Sequence, residues 1–148
     1  MTMEQVLKAL APDEPNYKVA ARELGAAAIP FLIELARSPD ALLAGKAASL
    51  AALITDGEAS KVLEVAAMHV SIGPRAAAAY GARYLSSHDG ERIALILMDD
   101  AEVAVAKFAI RSSVNIATPA LKQKLESLAA DGKGYLAEEA QNAIKLMH

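Results

Sequence analysis

Between Ile29 and Ile54 the apolar positions fall twice on a helical stripe, first as Phe31, Leu32, Leu35 and Ala36, then as an Ala- and Leu-rich run from Ala41 to Ile54. Pro30 suits the opening turn of the first helix, whose amides have no partner within the helix. Ser38-Pro39-Asp40 separates the two helices: a proline disfavours helix in the residue before it, and the Asp carboxylate can accept from the first amides of the next helix. The same unit is predicted along the whole chain. Val6, Leu7 and Leu10 mark a helix from about Met3 to Ala11, ended by Pro12 and Pro15, and Asn16–Leu24 follows with Gly25 as its stop. Thr55-Asp56-Gly57 turns, and Val62, Leu63, Ala66 and Ala67 mark a helix over 58–69. After Ser71-Ile72-Gly73, Pro74 starts RAAAAYGARYLSS, His88-Asp89-Gly90 reads as a turn, and Arg92–Met98 reads as a short apolar helix. Asp99-Asp100 precedes AEVAVAKFAIRSSV. Thr118-Pro119 reads as a cap and first-turn proline, Leu121, Leu125 and Leu128 form a stripe, and Asp131-Gly132-Lys133-Gly134 leads into YLAEEAQNAIKLM. The expectation is one domain of ten helices in five antiparallel pairs, at about 3–25, 26–54, 58–87, 90–115 and 118–147.

A helical hairpin cannot bury both of its apolar faces alone, so recurrence implies stacking. Placing the small buried residue of each second helix at Ala21, Ser49, Ala78, Ala109 and Ala140 gives steps of 28, 29, 31 and 31 residues. Nine residues earlier stand Asp40, Asp100 and Asp131 in three of the five units, and three residues earlier stand Lys18, Lys46, Arg75, Ala106 and Ala137. This pattern resembles the HEAT-repeat, armadillo-like family, in the shorter bacterial form that shares its repeat with phycobilin lyases. The family's Asp-to-basic ladder is incomplete in this chain, because Pro12, His69, Ala106 and Ala137 interrupt it. The resemblance implies an all-α, right-handed α-solenoid whose second helices line a concave face. Lys18, Lys46 and Arg75 are expected to pair with turn aspartates or carbonyls between units.

Composition agrees with a packed helical chain. Of its 148 residues 54% are hydrophobic but only 4% aromatic, with no Trp, so the core must rest on close contacts between Ala-rich helices. The absence of Cys removes disulfides and thiolate chemistry and fits a cytoplasmic setting. No apolar stretch is long enough to suggest a membrane span, and Glu4 and Lys8 interrupt the start in a way unlike a signal peptide. The net charge of −3 gives no general attraction to nucleic acid.

Helical geometry places positions −2, +2 and +5 from the register residue opposite the core. In the first two units these are Val19, Glu23, Ala26, Ala47, Ala51 and Ile54, and toward the C-terminus they include Tyr80, Arg83, Lys107, Arg111, Glu138, Asn142 and Lys145. The candidate partner-binding residues are therefore Tyr80, Arg83, Lys107, Arg111, Asn142, Lys145, Ala51 and Ile54. Val19, Ala47, Ala51 and Ile54 are expected to form an apolar contact surface, for a partner or for a second copy of the chain. The second helices carry a balance of +3 and the remainder −6, which favours an acidic protein partner.

Catalytic signals are weak. His69 is expected at a helix end and His88 in a turn, His148 is the last residue, and no His/Asp/Glu spacing matches a zinc or calcium motif. Gly132-Lys133-Gly134 lacks the frame of a phosphate loop, and Asp99-Asp100 falls at the repeat's turn position. The function expected is a non-enzymatic interaction scaffold without cofactor or metal. The alternatives are a HEAT-fold nucleic-acid binder, using Arg83, Lys107, Arg111 and Lys145 on phosphates, or a lyase- or glycosylase-like enzyme.

Overall fold

The computed structural model describes residues 1–132 and 134–147, and these are helical with no strand among them. The helices are α1 (Met3–Leu10), α2 (Tyr17–Leu24), α3 (Ile29–Ala36), α4 (Ala41–Ala52), α5 (Ser60–Ala67), α6 (Ile72–Gly81), α7 (Ser87–Met98), α8 (Val103–Ile116), α9 (Pro119–Ala130) and α10 (Gly134–Leu146). Short 3₁₀ turns at Gly25–Ala28, Gly57–Ala59 and Ala82–Tyr84 lie between pairs. The caps are those the residues predict. Asn16, Asp40 and Thr118 accept from the amides of Val19, Leu43 and Leu121, and Thr2 and Gln5 form a reciprocal capping box. Gly25 and Gly132 take positive φ, as a reversal after a helix requires, and Ala117 does so without being glycine. Lys133 and His148 lie outside the described residues.

Boundaries differ from the expectation around α6 and α7, and α6 ends at Gly81 in a 3₁₀ turn rather than running on to Ser87. His88, Asp89 and Gly90 are not a turn but the first residues of α7. The Ser86 side chain accepts from the Asp89 amide, the Asp89 carboxylate accepts the Ser86 hydroxyl, and Gly90 is buried where its backbone meets the end of the preceding pair. Likewise α6 begins at Ile72, two residues before Pro74, because a proline within the first turn removes only an amide that has no partner there.

Second helices pack on one another, α2 on α4, α4 on α6, α6 on α8 and α8 on α10, while α3 packs on α5, α5 on α7 and α7 on α9. The core is one continuous apolar cluster. Its centre is α4, where Ala44, Ala47, Ala48, Leu50, Ala51 and Ala52 are all buried, since a broad arc of alanines lets neighbouring helices approach closely. Gly81 serves the same end: a Cβ there would stand 2.9 Å from Ala52 Cβ and 3.0 Å from a Leu63 methyl.

The burial corrects the register in α4. Ser49 is half-exposed, whereas Ala47 is fully buried and occupies the position that Ala78 holds in α6 and Ala109 in α8. With Ala47 the register runs Ala21, Ala47, Ala78, Ala109, Ala140, in steps of 26, 31, 31 and 31. A shift of two residues turns a helix by about 200°, so Ala47, Ala51 and Ile54, expected outside, lie inside. The solvent side of α4 is instead Leu42, Gly45, Lys46, Ser49 and Leu53.

Turns within pairs are tied together. Lys46 Nζ donates to the carbonyls of Leu10 (3.0 Å) and Pro12 (2.7 Å), which belong to the preceding turn. His69 Nδ1 accepts from the Ser71 amide, which leaves Nε2 to donate to the Ser38 carbonyl at 2.7 Å. His69 thus bridges two turns, beyond its expected place at the end of α5. Arg75 donates to the carbonyls of His69 and Val70 with one nitrogen and to both Asp100 oxygens, at 2.9 and 3.2 Å, with two others. Lys46 and Arg75 therefore do the structural work expected of them, and Lys18 stands exposed.

Candidate functional site

The most distinctive surface lies where α6, α8 and α10 present their outer faces. Tyr80, near the end of α6, is 44% exposed and packs edge-on against Phe108 of α8, with ring centroids 6.0 Å apart and an interplanar angle of 83°. Tyr84, one turn further on, lies 6.1 Å from the Tyr80 ring. The Arg83 guanidinium sits 3.9 Å above the Tyr80 ring centroid, and its Nε donates to the Tyr80 carbonyl at 3.0 Å. Lys107 Nζ lies 5.0 Å from the Phe108 centroid. Two cations are therefore held on aromatic faces at a half-open surface, where each such contact is worth about 0.5–1 kcal/mol.

Local backbone explains the arrangement. After Gly81 the chain tightens into a 3₁₀ turn, and the Ser112 hydroxyl from α8 donates to the carbonyls of Ala79 (2.6 Å) and Tyr80 (3.2 Å). Ser112 is wholly buried, so this bond fixes the end of α6 against α8 and with it the relative position of Tyr80 and Phe108. Phe108 occupies the position just before the register residue Ala109. That position faces outward in every second helix from α4 to α8, as Lys46, Ala77 and Phe108, and was not among the three offsets used to read the face from sequence.

Arg111 has a different standing from Arg83. Its guanidinium donates to both oxygens of Glu139 on α10, at 3.3 and 2.8 Å, and the Tyr135 hydroxyl donates to the same carboxylate at 2.8 Å. Arg111's hydrogen bonds, only partly offset by burial and reinforced by Tyr135 and Lys107, hold the Glu139 carboxyl below its ordinary value. Arg111 and Glu139 thus cancel each other, while Arg83 and Lys107 are the cations held on the rings of the face. Hydrogen bonding to the Tyr80 phenol, with burial, raises the Tyr84 hydroxyl above its ordinary value, so that hydroxyl keeps its proton near pH 7.

Of the residues singled out from sequence, Tyr80, Arg83 and Lys107 come together around Phe108. Arg111 and Asn142 line one cavity of about 410 Å³ with Glu139 and Leu146, and Lys145 is exposed on α10. Ala51 and Ile54 are 0% and 5% exposed, packed within the core, and cannot offer a contact surface. No group of three or more His, Asp or Glu side chains capable of holding a metal ion occurs among the described residues. No helix there is long and apolar enough to cross a membrane.

No family model matches the sequence, and no curated protein matches it.

Proposed function

We propose that the five pairs stack as a right-handed α-solenoid of HEAT type, and that the chain is a non-enzymatic scaffold binding an acidic segment of a partner protein on its second helices. The observation that carries this reading is the cation-on-aromatic cluster, with Arg83 over Tyr80, Tyr80 against Phe108 and Lys107 beside it. Aromatic rings next to arginine supply apolar area, directional bonding and charge with little loss of side-chain freedom, and this combination recurs at the energetic centres of protein interfaces. Here the rings and Arg83 are already placed by packing, so less ordering opposes binding.

Carboxylates of the partner would meet Arg83 and Lys107, and an adjacent apolar residue would cover Tyr80 and Tyr84. Arg111 would contribute less, because a partner carboxylate must compete there with Glu139. The test is charge reversal, Arg83→Glu with Lys107→Glu, in pull-downs from native lysate analysed by mass spectrometry, with affinities measured for whatever protein is captured and for random-sequence duplex DNA at matched salt. The expected result is a loss of about tenfold or more for the protein, slower association and a flatter salt dependence. Unchanged capture, or a loss confined to DNA, rejects the acidic-segment reading, and the second outcome moves the nucleic-acid reading ahead.

A further inference from the structure

The edge of the molecule formed by the turns within pairs differs in kind from the opposite edge. Lys46, His69 and Arg75 bind the turns at 11–16, 37–40, 68–71 and 99–102 into one continuous margin. Large apolar side chains stand out along it: Leu42 (69% exposed), Met68 (77%), Val70 (93%), Ile72 (46%) and Val103 (49%). Between the second and third of these turns lies a recess of about 600 Å³ with Ala36, Pro39, Val65 and Met68 among its walls. The opposite edge exposes Thr55, Asp56, Glu58, Ser86, Ser87 and His88, with the Tyr84 ring beside them and no row of aliphatic side chains among the described residues. Solitary exposed aliphatics are ordinary, but five along one tied margin form a surface of the kind that partners cover.

Charge decides among possible occupants. Asp13, Glu14, Asp40 and Glu102 are exposed on this margin, and Asp99 is more than half exposed although paired with Lys124. Of the cations near it Arg75 is committed to Asp100 and Lys46 to two carbonyls, while Lys8 and Lys18 beside the first turn and Arg37 beside the second are exposed, so that free carboxylates outnumber free cations by one. An acidic rim around an apolar strip repels an anionic membrane and repels a second copy presenting the same edge. It attracts a segment that is both apolar and basic.

We propose that this margin is a docking surface for a basic amphipathic helix of another protein, laid along the turns with one apolar side chain in the recess between Pro39 and Met68. The apolar row faces Leu42, Met68, Val70 and Ile72, and the flanking lysines or arginines face Asp40 and Glu102. The site is separate from the Tyr80–Arg83 face and calls for the opposite charge in its ligand, so neither reading depends on the other.

Two labelled amphipathic peptides of about 18 residues, identical in their leucine row but carrying Lys in one and Glu in the other, test this by fluorescence anisotropy. The full chain should bind the Lys peptide about tenfold or more tightly than the Glu peptide. Met68→Ser with Val70→Ser should remove about tenfold of that affinity while leaving the melting temperature in place, because both side chains are more than three-quarters exposed. Asp40→Asn with Glu102→Gln should weaken binding several-fold and flatten its salt dependence; Asn caps a helix as well as Asp, so α4 is kept. Equal affinity for the two peptides, or wild-type affinity in the Ser variant, overturns the proposal. A wild-type dimer that the Ser variant abolishes in light scattering would assign the margin to a second copy. Val70-dependent binding to anionic vesicles would assign it to a membrane, and either result also overturns the proposal.

Discussion

Gly90 and Gly73 both lie within helices, yet alanine should act on them in opposite directions. A Cβ on Gly90 would stand 2.6 Å from the Ala82 carbonyl oxygen and 3.1 Å from the Ile116 side chain, and a backbone atom cannot move aside cheaply. At Gly73 nothing lies within 4 Å. Gly73→Ala should therefore raise the stability by about 0.5–1 kcal/mol, through helix propensity and a less flexible unfolded chain. Gly90→Ala should lose about 1–3 kcal/mol despite the same gain, because it overpacks. Urea midpoints of the two variants against wild type check both signs. The contrast also shows where a sequence reading reaches its limit. In the one-dimensional string Gly90 follows His88-Asp89 and looks like a breaker, whereas its reason is the approach of another element, which local composition does not record.

Among the elements, the tie made by Arg75 matters most, because one side chain holds two turns. Its side chain and that of Asp100 are 16% and 9% exposed, and every hydrogen-bonding atom of the pair has a partner. Burial by itself raises the Asp100 carboxyl, but the hydrogen bonds from Arg75 and from the Glu102 amide outweigh it, and the net displacement is downward from the ordinary value. A group depressed in the folded state stabilises fully above its unfolded value, near 3.9, and that contribution disappears as the pH falls through the folded value. Stability measured in urea should therefore drop on acidification below about pH 4, and Asp100→Asn should remove part of that dependence. Arg75→Gln should lose about 2–3 kcal/mol near neutrality by leaving a poorly hydrated carboxylate with fewer partners. The pairing could be anticipated from the recurrent Asp and basic positions. Its partial recurrence has an equally local cause: Ala106 stands where a cation would have to reach Asp131, and Lys46 sits two places later in the corrected frame and turns back to carbonyls instead.

Across the whole molecule, contacts run mainly between each helix and its neighbours in the same row or pair, so stability should be graded along the chain. The first pair rests on few partners: α1 touches α3 and α4, and α2 touches α4. Amide hydrogen exchange should be slowest in α4 and α6, where alanines are wholly buried, and fastest in α1, α2 and the outer turns of α9, with openings that do not require global unfolding. Uniform protection across all helices would contradict this gradient. The helices, most of their caps and the packing of α3 on α4, α5 on α6, α7 on α8 and α9 on α10 were legible in the sequence because proline, aspartate and glycine mark the turns and apolar spacing marks the stripes, whereas α1 packs on α3 and α4 rather than chiefly on α2. The outward face was legible only where a helix has a single buried side, as α6 and α8 do. In α4 leucine and alanine together surround the axis, so apolar spacing alone does not distinguish inside from outside, and the placement of Ala51 and Ile54 failed there. The cluster around Tyr80 was half visible: the step from Tyr80 to Arg83 is one helical turn, but Phe108 reaches Tyr80 from a helix 28 residues away in sequence.

The aromatic cluster also makes the protein its own optical reporter. With no Trp in the chain, its near-ultraviolet emission comes from tyrosine, and of the four tyrosines Tyr80 and Tyr84 touch each other on the proposed binding face while Tyr135 joins Arg111 at Glu139 beside it. Only Tyr17 lies in the first pair, half-buried and lining a recess with Ser49. No indole drains the excitation, so a carboxylate or ring arriving over Tyr80 changes the quantum yield of fluorophores that are already in place. Unlabelled protein therefore suffices to follow occupancy of that face, while a ligand on the turn edge would meet Tyr17, which lines a recess there with Asp13 and Leu42.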